Sequence, residues 1–156
     1  MFKKLKHKVF LIFIISLIIF FVTILDLQQK DITSIKFKLI TSTHKDLPWQ
    51  FNTQNSSLKI KIGEVTNIEY TIKNLSNKKT SGIASFAFYP KELKTYITKI
   101  DCFCYEKQIL NAGESRKFIL TVMIDPEVTK DSKTNSLDEG IMQFIFFDTN
   151  NFKNIN

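Results

Sequence analysis

The spacing of apolar positions changes once along the chain. Residues 9–25 (VFLIFIISLIIFFVTIL) carry no charge, and only Ser16 and Thr23 bear hydroxyls. Beyond residue 34 the apolar positions fall at every second residue. Ile68, Tyr70 and Ile72 alternate with polar neighbours, and Phe118, Leu120, Val122 and Ile124 share one face of another stretch. Period two marks strands with one face turned to a core. It predicts strands over 35–43, 58–62, 65–73, 82–89, 116–124 and 141–148. Turn residues separate them: Lys61-Ile62-Gly63-Glu64, Asn74-Leu75-Ser76-Asn77, Asn111-Ala112-Gly113-Glu114 and Asp125-Pro126. No stretch after residue 34 has a helical period. The expected fold is all-β: an antiparallel, immunoglobulin-like β-sandwich on an N-terminal single transmembrane helix. No Cys-Trp-Cys pattern is present, so the likeness to that class is architectural.

As a helix the apolar run would span roughly 26 Å, a little under a hydrocarbon core of about 30 Å. It ends in Ile24-Leu25-Asp26-Leu27-Gln28-Gln29, without the small-residue triplet of a signal-peptide cleavage site. An uncleaved anchor is therefore expected. Lysines precede the run, which keeps the N-terminus in the cytoplasm or its equivalent and exports everything beyond residue 25. The expected organisation is a basic leader (1–8), a signal-anchor (9–25), a linker (26–34), a β-sandwich (35–150) and a tail (151–156). The sandwich would face a periplasm or a mitochondrial intermembrane space from the inner membrane.

The formal charge of +7 changes this picture little. Lys3, Lys4, Lys6 and Lys8 contribute +4 of it in the leader, leaving +3 over the exported domain. There the lysines alternate with apolar residues, as Lys59 and Lys61 do beside Ile60. That is a solvated strand face, and nucleic acid is not an expected partner.

The candidate chemistry is concentrated in Lys99-Ile100-Asp101-Cys102-Phe103-Cys104-Tyr105-Glu106-Lys107-Gln108, which holds both cysteines. An exported cysteine pair ordinarily implies a disulfide. Residues i and i+2 of an extended strand, however, have Cα atoms about 6.6 Å apart, near the upper limit for that bond. The same geometry turns both thiols to one face and Phe103 to the other, so Phe103 anchors the segment while the thiols face outward. Thiolates select soft ions such as Cu(I), with zinc as competitor. A closed four-ligand zinc site lacks ligands within this chain. With metal–sulfur bonds of about 2.3 Å, two sulfurs on one ion lie at most about 4.6 Å apart. Either the segment bends at the cysteines, or two chains pool them and the copper-loaded form is a dimer. Lys99 and Lys107 would lower the thiol pKa values if close, and Asp101 and Glu106 would oppose them.

Other residues carry less. His7 and His44 stand alone in polar surroundings, and Met123 lies in a predicted strand where packing explains it. Trp49 reads as a core or docking anchor. Asp46, Asp125 and Glu127 form no triad, and no Gly-rich phosphate loop occurs, so an enzyme is not expected.

Cys102-Phe103-Cys104-Tyr105-Glu106-Lys107-Gln108 resembles the CFCFEEQ signature of the copper-insertion assembly factors of cytochrome c oxidase, the CtaG family of bacteria and its mitochondrial relatives. Asp46-Leu47-Pro48-Trp49-Gln50-Phe51 resembles the family's DLPWEF, and Gly63-Glu64 falls where the family has PGE. Lys99-Ile100 precedes the first cysteine as in KIQCFC. Asn111-Ala112-Gly113-Glu114 is similar to NPGE, Ile124-Asp125-Pro126-Glu127 to IDPE, and Phe144-Ile145-Phe146-Phe147 to YTFF. The likeness runs from about residue 35 onward. It implies an immunoglobulin-like domain on a single-pass anchor, Cu(I) on Cys102 and Cys104, a copper donor protein that loads them, and delivery to the copper B site of oxidase subunit I. This chain departs from the pattern in three ways. The family usually has another cysteine just beyond the membrane helix, and none lies between Asp26 and Asp101 here. Tyr105 stands for phenylalanine, and Lys107 stands for the signature's second acid. A reading from another class is a thiol–disulfide factor that keeps an assembly partner's cysteines reduced, and a third is a module that only docks on the oxidase.

Overall fold

The computed structural model describes residue 10, residues 12–21 and residues 33–150. The chain divides into an N-terminal unit, Met1–Asp31, and a second unit, Ile32–Asn156. In the first, residues 12–21 are helical and expose their side chains on every face. Among the described residues no helix is long and apolar enough to cross a membrane. The expected leader, positions 9, 11 and 22–25 of the expected anchor, the linker up to residue 32 and the tail lie outside the described residues.

The second unit is a sandwich of two sheets. Nine strands form it: β1 (Ser34–Thr43), β2 (Trp49–Thr53), β3 (Ser57–Lys61), β4 (Val65–Asn74), β5 (Thr80–Tyr89), β6 (Ile97–Asp101), β7 (Gln108–Leu110), β8 (Ser115–Ile124) and β9 (Glu139–Asp148). One sheet has the order β3-β1-β9-β5-β7 and the other β2-β4-β8-β6. All six predicted strands are present within two residues of their expected ends. Their alternating residues fill the space between the sheets: Ile35 and Phe37 from β1, Ile68, Tyr70 and Ile72 from β4, Leu120, Val122 and Ile124 from β8, and Met142, Phe144 and Phe146 from β9 are all buried. Burial of this apolar area is the main favourable term in the fold.

The expectation of a wholly antiparallel sandwich needs correction. β1 and β9 pair in parallel, from Lys36 opposite Glu139 to Thr43 opposite Phe146. Antiparallel pairing is required only where a tight hairpin joins two strands, and β1 and β9 are the first and last strands of the sheet. Two turn glycines have the left-handed backbone that glycine adopts without penalty, Gly63 at φ 78° and Gly113 at φ 68°. The buried Asn74 amide ties one further turn together. It donates to the carbonyls of Lys78 (2.7 Å), Leu110 (3.3 Å) and Asn111 (2.9 Å), and its carbonyl accepts from the Ser76 amide and hydroxyl.

Candidate metal centre

The cysteine segment is the place where the chain changes sheets. β6 is an edge strand of the four-stranded sheet, and β7 is an edge strand of the five-stranded one. β6 pairs antiparallel with β8 from Ile97 opposite Ile124 to Asp101 opposite Thr121, with a shift of register between Lys99 and Asp101. Cys102 is still extended, at φ −150° and ψ 122°, and then Phe103–Tyr105 form one 3-10 helical turn. Glu106 is extended again and leads into β7. A chain that crosses between two packed layers has to bend, and here it bends at the cysteines.

This bend overturns one expectation and supports another. The flat-strand geometry that argues against a Cys102–Cys104 disulfide and turns both thiols outward does not hold. Their Cα atoms are 5.1 Å apart and the two sulfurs are joined in a disulfide. Both residues are buried, at 6% and 7% exposure. The reason is local, because side chains of a 3-10 turn do not alternate at period two. Phe103 does turn inward. Its ring stacks on Phe146 at 5.8 Å and 10°, and meets Phe118 at 5.3 Å, Tyr70 at 5.5 Å, Phe144 at 5.6 Å and Phe51 at 6.0 Å. Burial pushes the hydroxyl of Tyr70 well above its ordinary pKa.

Backbone groups of the turn are satisfied locally. The Cys104 amide donates to Cys102 Sγ at 3.3 Å, and the Tyr105 amide donates to the Cys102 carbonyl at 3.4 Å. Gln108 is buried, and its side-chain amide donates to the carbonyls of Phe103 (3.3 Å) and Glu106 (3.4 Å). Reading the sequence did not single out Gln108. Its signals were its place at the end of the stretch that resembles the CFCFEEQ signature and a polar side chain on the inward face of a short apolar run.

The flanking charges are arranged unequally. Lys99 lies over the ring of Phe86, with Nζ 3.0 Å from the centroid, and 5.5 Å from that of Tyr105. Burial, and then the charge of Lys94, bring its amine down to about 8. Lys107 lines an open cleft with Lys79, Ile109 and Asp148. His7 lies outside the described residues, and the other candidates sit away from the cysteines in sequence. His44 stacks on Phe147 at 5.6 Å and its Nδ1 lies 3.3 Å from Asp46. Met123 lies opposite Thr98 and Val65 in the four-stranded sheet. Trp49 is a core anchor as expected, and its indole N–H donates to Thr80 at 2.7 Å. Among the described residues, no three His, Cys, Asp or Glu side chains gather as a metal cage. Among the described residues the candidate donors that lie together are the two cysteines. The turn brings their Cα atoms to 5.1 Å, closer than the about 6.6 Å of a flat strand.

Residues 22–148 match the family model described as "Cytochrome c oxidase assembly protein CtaG/Cox11". Over 101 residues, 65% of this chain, the sequence is 33% identical to the cytochrome c oxidase assembly protein CtaG of Rhodopseudomonas palustris (strain BisB18), of which it covers 49%. It is likewise 33% identical over 101 residues to the CtaG of Nitrobacter hamburgensis, covering 47% of that protein. Over 113 residues, 72% of the chain, it is 33% identical to the mitochondrial cytochrome c oxidase assembly protein COX11 of Saccharomyces cerevisiae, covering 38% of it. The chain thus spans about half the length of its bacterial relatives and less of the yeast one. With the family model matched from residue 22 to residue 148, this chain belongs to the CtaG/Cox11 family of cytochrome c oxidase assembly proteins.

Proposed function

We propose that this protein is a membrane-anchored copper chaperone. It carries Cu(I) between Cys102 and Cys104 and helps insert copper B into subunit I of cytochrome c oxidase during assembly. The observation that carries this reading is the bend that brings the two cysteines to a Cα separation of 5.1 Å at a turn pinned into the core through Phe103. Two thiolates without a cage of further ligands suit a soft, low-coordinate ion that must be handed on. Because the bend brings the two residues to a Cα separation of 5.1 Å, one chain suffices, once the pair is reduced, to hold one ion. A second copy, or the client, completes its coordination in the copper-loaded dimer or the transfer complex. The protein has no catalytic turnover in this reading, and a copper donor protein loads it. The apolar run 9–25 anchors it in the inner membrane with the N-terminus cytoplasmic. The sandwich, of the immunoglobulin-like class, then lies in the periplasm or the intermembrane space.

Loading starts from the reduced pair. A dithiol donor opens the Cys102–Cys104 bond, leaving two thiols and becoming a disulfide itself, and Cu(I) then displaces the thiol protons. The test is copper stoichiometry and oligomer mass on one sample of the full chain in detergent, reduced and anaerobic. Wild type is expected to take up Cu(I), and Cys102→Ser and Cys104→Ser to lose it. If both serine variants keep the wild-type stoichiometry, the assignment fails.

The joined sulfurs also favour the second reading, a thiol–disulfide factor that maintains an assembly partner's cysteines. A redox titration followed by thiol alkylation separates the two. Absence of a reversible couple excludes the redox role.

A further inference from the structure

Lys99 is placed where a single cation can reach three parts of the molecule. It belongs to β6 of the four-stranded sheet, opposite Val122 of β8. Its ammonium crosses to the five-stranded sheet, 3.0 Å from the ring centroid of Phe86 and 6.0 Å from that of Phe88, both on β5. It also lies 5.5 Å from the ring of Tyr105, the last residue of the cysteine turn. Tyr105 is exposed, so core packing does not hold its ring. Phe103 is fixed from within by the aromatic core, and Gln108 secures the carbonyls of Phe103 and Glu106. The side chain just after Cys104 meets this cation on its exposed ring.

We propose that Lys99 is a positioning residue for the Cys102–Cys104 pair. Its ammonium, seated on Phe86 of the facing sheet, holds the Tyr105 ring and so keeps the turn closed with its sulfurs together. A cation over an aromatic face is attracted by the ring quadrupole, and phenylalanine supplies that face as tyrosine does. The role therefore requires a cation at position 99 and an aromatic ring at 105, and it does not require the tyrosine hydroxyl. The inference builds on the proposed use of the pair, but its test does not need copper.

The experiment equilibrates the full chain in detergent micelles with reduced and oxidised glutathione at pH 7. Disulfide formation in the protein converts one oxidised glutathione into two reduced ones, and the equilibrium constant measures how closely the turn holds the two thiols. Lys99→Met and Tyr105→Leu are each expected to lower that constant about threefold, the size of a partly exposed cation–π contact. Tyr105→Phe and Lys99→Arg should stay near wild type, and the double variant should fall no further than either single loss. A residue that acted only through general stability would give losses that multiply and would not distinguish phenylalanine from leucine. An unchanged Tyr105→Leu, multiplying losses, or a wild-type pair that forms no disulfide at any glutathione ratio overturns the proposal. If Lys99→Met does not fold, the comparison of phenylalanine and leucine at 105 carries the test alone. Wild-type protein that takes no Cu(I) but shows the threefold shifts removes the copper reading and leaves the Lys99 role standing.

Discussion

Phe103 and Phe146 lie nearly parallel, 5.8 Å apart with an angle of 10° between their rings. One comes from the turn between the two cysteines and the other from β9 at the centre of the five-stranded sheet. The thiols are thereby fastened to the core through the residue that separates them.

Shortening that side chain should therefore be costly. Phe103→Ala is expected to destabilise the protein by about 3–5 kcal/mol, the usual range for a buried aromatic ring replaced by a methyl group. Phe103→Leu should cost less, because it refills part of the space. Urea unfolding of the full chain in detergent, followed by the fluorescence of the buried Trp49, measures both. Equal costs for the two variants would show that the ring volume is not what matters.

Gln108→Leu leaves the carbonyls of Phe103 and Glu106 without their side-chain donor. A buried polar group deprived of its partner costs about 1–3 kcal/mol. The same variant should make the reduced thiols react faster with an alkylating agent, since the turn loses its brace. An unchanged alkylation rate would mean that Phe103 holds the turn without help.

A methyl group at position 82 has no room. The Cβ of Gly82→Ala would lie 2.8 Å from the indole ring of Trp49 and 2.9 Å from the side chain of Leu47. Overpacking of this kind costs about 1–3 kcal/mol. A blue- or red-shifted Trp49 emission should accompany the lower unfolding midpoint, because the indole has to move.

Lys99 gives the protein a specific pH dependence. Its amine titrates at about 8 in the folded state against 10.5 ordinarily, because of burial and the neighbouring charge of Lys94. Between these values the unfolded chain binds more protons than the folded one, so this residue makes stability rise as pH climbs from about 8 to 10.5. Below pH 8 both states are protonated and the cost of burying the charge is fully present. The rise should be absent from Lys99→Met. The measurement is the difference in unfolding free energy between wild type and variant across that window, which cancels contributions of other groups. A difference that stays flat with pH would place the folded-state pKa near its ordinary value.

Much of the sandwich is legible in the alternation of the chain. β1, β4, β5, β8 and β9 each run for ten residues with one face buried, and period two shows clearly over that length. β2, β6 and β7 were not predicted. β2 is five residues long, β7 is three, and the register shift after Lys99 breaks the alternation of β6. The inward turn of Phe103 was legible because it is apolar between two cysteines. Burial and convergence of the thiols were not, because they arise from the crossing between sheets, which only the folded molecule defines. The aromatic seat of Lys99 is hidden for the same reason, since Phe86 and Tyr105 lie on opposite sides of it in sequence.

The parallel pairing of β1 with β9 has a consequence for the birth of the molecule. β9 lies between β1 and β5, so the middle of the five-stranded sheet is supplied by its last strand. A chain emerging from a translocation channel or a ribosome with its N-terminus first makes β1 and β5 long before the strand that joins them. Until residues 139–148 arrive, Phe103 also lacks Phe144 and Phe146, and has Phe51, Tyr70 and Phe118 of the four-stranded sheet as its ring neighbours. The packing around the cysteine turn is therefore completed only when the last strand is in place.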